Sequence, residues 1–416
     1  MGFNATWSMA IGGMVGGGIF SVVGVVVDVA GQWAWLSFVI AGVIALASAH
    51  SYAELAVRNQ AAGGAYAYLR ALGYTGFAAS LSWMMILGYV LTVSVYAFTF
   101  GHYLAHALSF GAWFPRLCAL SVIAALSLVN LRGVTESAVL EVVTVWGKLA
   151  VLLGLAFLGL AHWAPDQLTS GLEPHGLFGA LAGAAMIFMA FEGFQLLAYD
   201  YDEIRNPRRL LPLASLSAVA AVIVVYVTVA IGATMLVGAS VIVERQEIAL
   251  SIAGQRAAGL FGLIAVTVAA AFSTASAINA TLFSTARLMK HVADHEDLPL
   301  QLAHENRHQV PSHAILGIGA VGALLASFGS LSALVGAASL VFLFAFATVN
   351  AIALSQATQR RWVALLGLIG CAAAGLVSIW HLLLHEQLVL AGLVLLVLAT
   401  TLGRPYVLRY ARQLRG

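Results

Sequence analysis

Long apolar runs, each closed by a short polar stretch, set the rhythm of this chain. No Asp, Glu, Lys or Arg occurs in Phe3–Val27, Ala71–Pro115, Leu210–Val243 or Ala257–Ala286. Runs of this kind meet the roughly 20 apolar residues that carry an α-helix across a bilayer. They are too long for barrel strands, which need about 10 residues of alternating character. Lipid offers the backbone no hydrogen-bond partner, so helices are the expected answer. The pattern predicts an all-α polytopic membrane protein with twelve spans, near 3–29, 32–56, 75–107, 112–130, 134–162, 176–199, 211–237, 257–290, 311–329, 332–356, 362–382 and 386–403. The first span lacks a basic leader and runs into glycines rather than a cleavage site, so it reads as a mature helix.

Composition agrees: 62% of the 416 residues are hydrophobic and 9% charged, where a soluble domain carries about 25% charged residues. The positive charges are unevenly placed. With the N-terminus in the cytoplasm, the loops and tail on that side hold 15 Lys and Arg, from Arg58 to Arg415, against 3 opposite, Arg116, Arg245 and Arg256. The expected orientation therefore has both termini in the cytoplasm of a cell inner (plasma) membrane. The tail from Arg404 reads as part of that positive anchor. Cys118 and Cys371 lie in apolar runs and announce no disulfide framework, and a net charge of +2 gives nucleic-acid binding no support.

Two spans carry an interruption. Gly12-Gly13-Met14-Val15-Gly16-Gly17-Gly18 puts five glycines in seven residues, each costing about 1 kcal/mol of helix propensity. By itself the run equally suits a close-packing seam of small residues. Phe191-Glu192-Gly193-Phe194 sets a carboxylate beside a glycine in mid-span, where an acid is expensive and commonly functional. Gly16 and Gly193 are 177 residues, or five spans, apart. An odd number of crossings turns the second copy upside down, and paired interruptions in two halves point to a transporter site. The expected fold is therefore a five-plus-five inverted repeat, 1–162 and 176–356, with two extra C-terminal helices and a short tail over 362–416.

Unwound backbone at these breaks explains what such a site binds. Free N–H groups from Gly16 to Ile19, at the positive end of a half-helix, suit a carboxylate. Carbonyls released near Met14 and Phe191 suit an ammonium. A zwitterionic amino acid satisfies both.

These segments resemble the amino acid–polyamine–organocation superfamily. Val15-Gly16-Gly17-Gly18-Ile19-Phe20 is similar to its first-span motif. Ser51-Tyr52-Ala53-Glu54-Leu55 with Ala62-Gly63-Gly64-Ala65-Tyr66 is similar to its second span and loop. Phe191-Glu192-Gly193-Phe194 with Asp202-Glu203-Ile204-Arg205-Asn206-Pro207-Arg208-Arg209 resembles its sixth span and exit, and Ala275–Arg287 with Asp297-Leu298-Pro299 its eighth. The resemblance implies transport of amino acids by alternating access, with the substrate carboxylate at Gly16, Gly17 and Gly18. It places Phe191 and Glu192 against the substrate, Met189 where relatives carry an aromatic gate, and Gln195 at a position that tunes specificity. Relatives usually begin with a cytoplasmic extension, so no N-terminal regulatory segment is expected here.

Lys148 lies about 14 residues, roughly 21 Å, inside span five, too deep to reach water easily. It reads either as a permanent ammonium held by carbonyls or as a titrating proton carrier, since burial lowers a lysine's pKa. The resemblance implies sodium independence when a lysine stands there, with Ser273 and Thr274 as possible partners. Glu192 competes for the proton. Glu141, on the same helix face as Lys148, reads as a surface charge or as part of a proton path. His291/His295 and His304/His308 have metal-like spacing, but a solvated loop explains them better and no metal or cofactor is expected. Trp83, Tyr89 and Tyr96 line the pathway or the core. Without a catalytic constellation or a soluble domain an enzyme or sensor is disfavoured, and the paired breaks argue against a channel. Substrates and partners are thus an amino acid or amine, protons and the lipid bilayer; import, exchange and export, and the oligomeric state, stay open.

Overall fold

A computed structural model describes residues 1–60, 63–108, 110–133, 138–356 and 360–399, with 403 and 406, and is helical over most of its apolar runs. The tail anchor from Arg404, with Arg409, Arg412 and Arg415, lies outside the described residues, as do 134–137 and 400–402 at the edges of two expected spans.

The helices are α1 Phe3–Ala30, α2 Ala34–Asn59, α3 Gly64–Ala71, α4 Thr75–Leu108, α5 Phe114–Leu131, α6 Ala138–Ala161 and α7 Phe178–Met186. There follow α8 Pro207–Val237, α9 Ala239–Glu244, α10 Ala249–Asp294, α11 Ser312–Phe328, α12 Leu331–Ser355, α13 Arg361–His385 and α14 Gln387–Leu398. A helix lies over each of the twelve expected spans; α3 and α9 are short connectors. Span six is the discontinuous one. After α7 the chain passes through a 3₁₀ turn at Phe188–Phe191, becomes extended at Glu192 (ψ 139°), and takes φ +138° at Gly193 before a second 3₁₀ turn, Phe194–Ala198. Only glycine enters that φ region without strain.

Span one corrects the sequence reading. α1 is helical from Phe3 through all five glycines to Ala30, so the N–H groups of Gly16–Ile19 remain in the helical ladder. Packing explains the glycines. A Cβ on Gly13 would stand 2.8 Å from Gly193 Cα, one on Gly16 2.5 Å from Ala277 Cβ, and one on Gly18 2.5 Å from the Tyr226 hydroxyl; Gly17 is pressed by the Tyr96 ring. The lost propensity is offset by backbone-to-backbone approach, the small-residue seam of membrane helices.

A second departure lies in α10. Ala258 and Gly259 (φ +58°) leave helical geometry, separating a short helix from the span proper. Gly254 and Gly262 touch across this corner, so the two arms fold back on each other.

α1 is central. It packs on α6, α7, α8 and α10, and almost all of it from Ala10 to Ala30 is buried. α13 is peripheral, with 28% of its most apolar window buried against 89% for that of residues 3–59. A helix apolar all round belongs in the interior of a bundle or against lipid; α1 takes the first role and α13 the second.

Candidate functional site

The discontinuity of span six lies directly against the glycine run of α1, with the Gly193 backbone on that of Gly13 and Met14. Glu192 is 2% exposed. Its carboxylate accepts a hydrogen bond from Gln195 Nε2 (2.7 Å), and Gln195 Oε1 accepts from the Gly193 N–H (2.8 Å). Gln195 therefore serves the carboxylate and the broken backbone together, a tie between two sequence-predicted residues. Met189 uses its backbone: its N–H donates to Ser339 Oγ in α12 (3.0 Å), which donates to Met186 O (2.6 Å). Ser339 thus caps the end of α7 from another helix, answering the rule that buried backbone groups find partners.

Tyr226 of α8 joins α1 to the broken span six. Its hydroxyl lies 2.7 Å from Met14 O and 2.9 Å from Ala190 O. One proton serves one carbonyl at a time, so the oxygen sits where an ammonium would meet both. The Phe191 ring leans on the Tyr226 ring at 5.2 Å. Sequence reasoning missed Tyr226 because a tyrosine in an apolar run carries no local signal. Tyr96 was named only as a lining or core aromatic, yet its ring covers Gly17 and its buried hydroxyl has no hydrogen-bond partner among the described residues.

Lys148 is 6% exposed and its Nζ donates to Gly12 O (3.3 Å), joining α6 to the start of the glycine run. Glu141 approaches the same residue, its Oε1 standing 3.1 Å from where a Gly12 Cβ would be. Ser273 donates to Val15 O (2.7 Å), while Thr274 turns its hydroxyl back to Ala270 O of its own helix (2.7 Å). Lys148 and Ser273 share a mainly apolar cavity of about 390 Å³ with Thr144 and Ser276; Thr274 does not line it. Three α1 carbonyls, Gly12, Met14 and Val15, thus receive donors from α6, α8 and α10. A carbonyl has two lone pairs, so these bonds coexist with the helical ladder.

Both ends of the site are closed. On the side of Met1, Asp297 accepts from Arg70 (2.9 Å) and from the Tyr66 hydroxyl (2.9 Å), while its carbonyl accepts from Trp83 Nε1 (2.9 Å). Asp200 lies 3.7 Å from Arg287; burial, with help from Glu203, pushes its carboxyl up to about 6 despite Arg287. His291 and His295 pack against the edge of Tyr66. On the other side Gln246 donates to Asp28 (3.1 Å) and lies on Gly24, while Gln32 and Trp33 both bond the His175 carbonyl. Gly16, Gly17, Gly18, Ile19, Phe191 and Glu192 are all buried between the two closures.

Tyr226→Phe removes the shared hydroxyl but keeps the ring. We expect ligand affinity to change at least about fivefold with little loss of melting temperature, because Met14 O keeps its place in the helix of α1 when the hydroxyl is removed. A titration of substrate-induced thermal stabilisation reads this, and an unchanged affinity counts against a role at the site.

Comparison with known proteins places this geometry. An "uncharacterized transporter" of Mycobacterium tuberculosis is 32% identical over 381 residues, covering 87% of this chain and 82% of that protein. The inner membrane transport protein YbaT of Escherichia coli is 28% identical, covering 83% and 81%. The vacuolar cationic amino acid transporter 2 of Arabidopsis thaliana is 29% identical, covering 82% and 57%. In fold the chain is similar to the manganese transporter of Eremococcus coleocola, with TM-score 0.61 and 15% identity over 98% of this chain and 95% of that one. The amino acid permease family profile matches residues 1–399. The chain belongs to the amino acid permease family, and is a membrane transporter rather than an enzyme.

Proposed function

We propose that the protein is a proton-coupled, sodium-independent secondary transporter of amino acids working by alternating access. The observation that carries this is Lys148: an ammonium buried in span five and bonded to Gly12 O, beside the discontinuity of span six. Its charge ties α6 to α1. Loss of its proton to a base or to water weakens that tie and frees α1 to move.

On this reading 1–162 and 176–356 form two inverted five-span units and 362–416 an appendage. The substrate carboxylate meets Gly16, Gly17, Gly18 and Ile19 once α1 unwinds. Donors already waiting on Gly12, Met14 and Val15 lower the cost of that unwinding. The ammonium meets Met14 O and the carbonyls of span six and displaces the Tyr226 hydroxyl. Phe191 and Glu192 face the substrate, Met189 forms a pliant lid, and Gln195 sets specificity through Glu192. The buried hydroxyl of Tyr96 turns to the carboxylate. The 15-to-3 bias of basic residues supports cytoplasmic termini, and the Escherichia coli relative, by its name, an inner-membrane site.

The test is uptake of a panel of labelled amino acids into proteoliposomes under imposed proton or sodium gradients. We expect accumulation with an inward proton gradient and none from sodium alone. Uptake that needs sodium overturns the coupling. Exchange indifferent to both gradients favours an exchanger on the same fold.

A further inference from the structure

A cavity of about 770 Å³ lies away from the glycine run at the end of the bundle opposite Met1. Its walls come from four places: the segment after α6 (His162, Ala164, Gln167), the end of α8 (Met235, Leu236, Val237), Val241 of α9, and the folded-back arm of α10 (Ile252, Gln255, Arg256). The corner at Ala258–Gly259 creates it by swinging that arm away from the axis of the span.

The chemistry of the lining is divided. Met235, Leu236, Val237, Val241 and Ile252 make an apolar wall. Arg256, Gln255, Gln167 and His162 supply donors, and among the described residues no carboxylate lines the cavity. Arg256 makes no ion pair or side-chain hydrogen bond among the described residues, whereas Arg245 on the same side pairs with Glu244 (3.4 Å). His162 anchors Nδ1 on Leu158 O (2.9 Å), leaving Nε2 for another partner. Around this region Trp163, Leu260 and Phe261 are 67%, 69% and 77% exposed, as side chains at the edge of the hydrocarbon layer are. A guanidinium beside an apolar wall at that depth suits a phosphate carried on acyl chains: the fork bonds phosphate oxygens bidentately, and the wall takes the first methylenes. The volume lies within the roughly 300–1,000 Å³ typical of ligand sites.

We propose that this cavity binds the phosphate head of an anionic membrane lipid, held by Arg256 with help from Gln255, Gln167 and His162. The lipid braces the ends of α6, α8 and α10. This site is separate from the transport site, and its test does not require transport.

The experiment measures thermal unfolding of the purified full-length protein in detergent. The additions are phosphatidylglycerol, diacylglycerol with the same chains, and inorganic phosphate. Phosphatidylglycerol should raise the melting temperature by about 4 °C or more, and the other two by less than about 1 °C. Arg256→Gln should lose the rise and Arg256→Lys retain part of it. Leu236→Trp, which fills the cavity without touching the charge, should also lose it, while Arg116→Gln, changing a base outside the cavity lining, should keep it. An equal rise with diacylglycerol, or an undiminished rise in both Arg256→Gln and Leu236→Trp, overturns the site. A full rise with inorganic phosphate alone overturns the lipid as its source.

Discussion

On the proposed coupling, Lys148→Ala is expected to abolish proton-driven accumulation, lowering initial uptake under a pH gradient by about 100-fold, equivalent to roughly 3 kcal/mol. The expectation rests on position. The side chain is buried and its Nζ holds Gly12 O at 3.3 Å. The other bases inside expected spans, Arg116, Arg287 and Lys290, all lie within five residues of a span end, where Lys148 is at mid-span. Alanine removes both the charge and the tie between α6 and α1, so the loss by itself does not separate them. Lys148→Arg does, because a guanidinium keeps the charge and does not release its proton in a protein. If Lys148 carries the proton, the arginine variant exchanges substrate across the bilayer but does not concentrate it against a gradient. An arginine variant that accumulates substrate like wild type makes Lys148 a fixed structural charge and passes the proton role to Glu192. Glu192→Gln then becomes the decisive change.

Gly193→Ala is expected to be strongly destabilising, because it joins a backbone clash to a left-handed φ. Gly193 has φ +138°, and a Cβ there would stand 2.6 Å from Gly13 C and from Met14 N. Backbone strain of this kind costs about 1–3 kcal/mol. The neighbours are themselves backbone atoms of a buried helix, with no flexible side chain to give way. A total near 4 kcal/mol corresponds to a melting temperature lower by roughly 10 °C, or to failure to leave the membrane as a single species. Gly13→Ala, across the same contact but in helical backbone, should lose less. Gly147→Ala supplies the contrast: nothing lies within 4 Å of its Cβ position, and alanine is the better helix former by about 1 kcal/mol. Equal melting of the 193 and 147 variants is incompatible with the packing described.

The contrast among these glycines shows what the sequence made legible. Apolar runs between charges located the spans because the bilayer requires roughly 20 apolar residues of a helix that crosses it. Glu192-Gly193 located the break in span six because an acid beside a glycine in mid-membrane has few other uses. The run at Gly12–Gly18 was ambiguous in principle. Low helix propensity and close packing call for the same residue, and what decided between them was the partner surface of Gly193, Ala277, Tyr96 and Tyr226, distant in the chain. For the same reason Tyr226 and Ser339 were invisible. Each lies in an apolar run, and its role depends on carbonyls or amides contributed by another span. The corner in α10 was also unmarked, since one Ala-Gly pair inside an apolar helix more often passes without a bend.

The cap that Ser339 places on α7 bears on how the chain is made. α7 has nine residues and ends within the bundle, and the donor for Met186 O stands 153 residues later, in α12. At roughly 5–20 residues per second, the ribosome delivers that serine about 8–30 seconds after the methionine. During the interval lipid offers the exposed backbone of span six no substitute. Span six is therefore expected to wait near the translocon or the headgroups as a loosely held segment and to take its depth only when α12 arrives, making it the step at which a membrane insertase or chaperone has most to contribute.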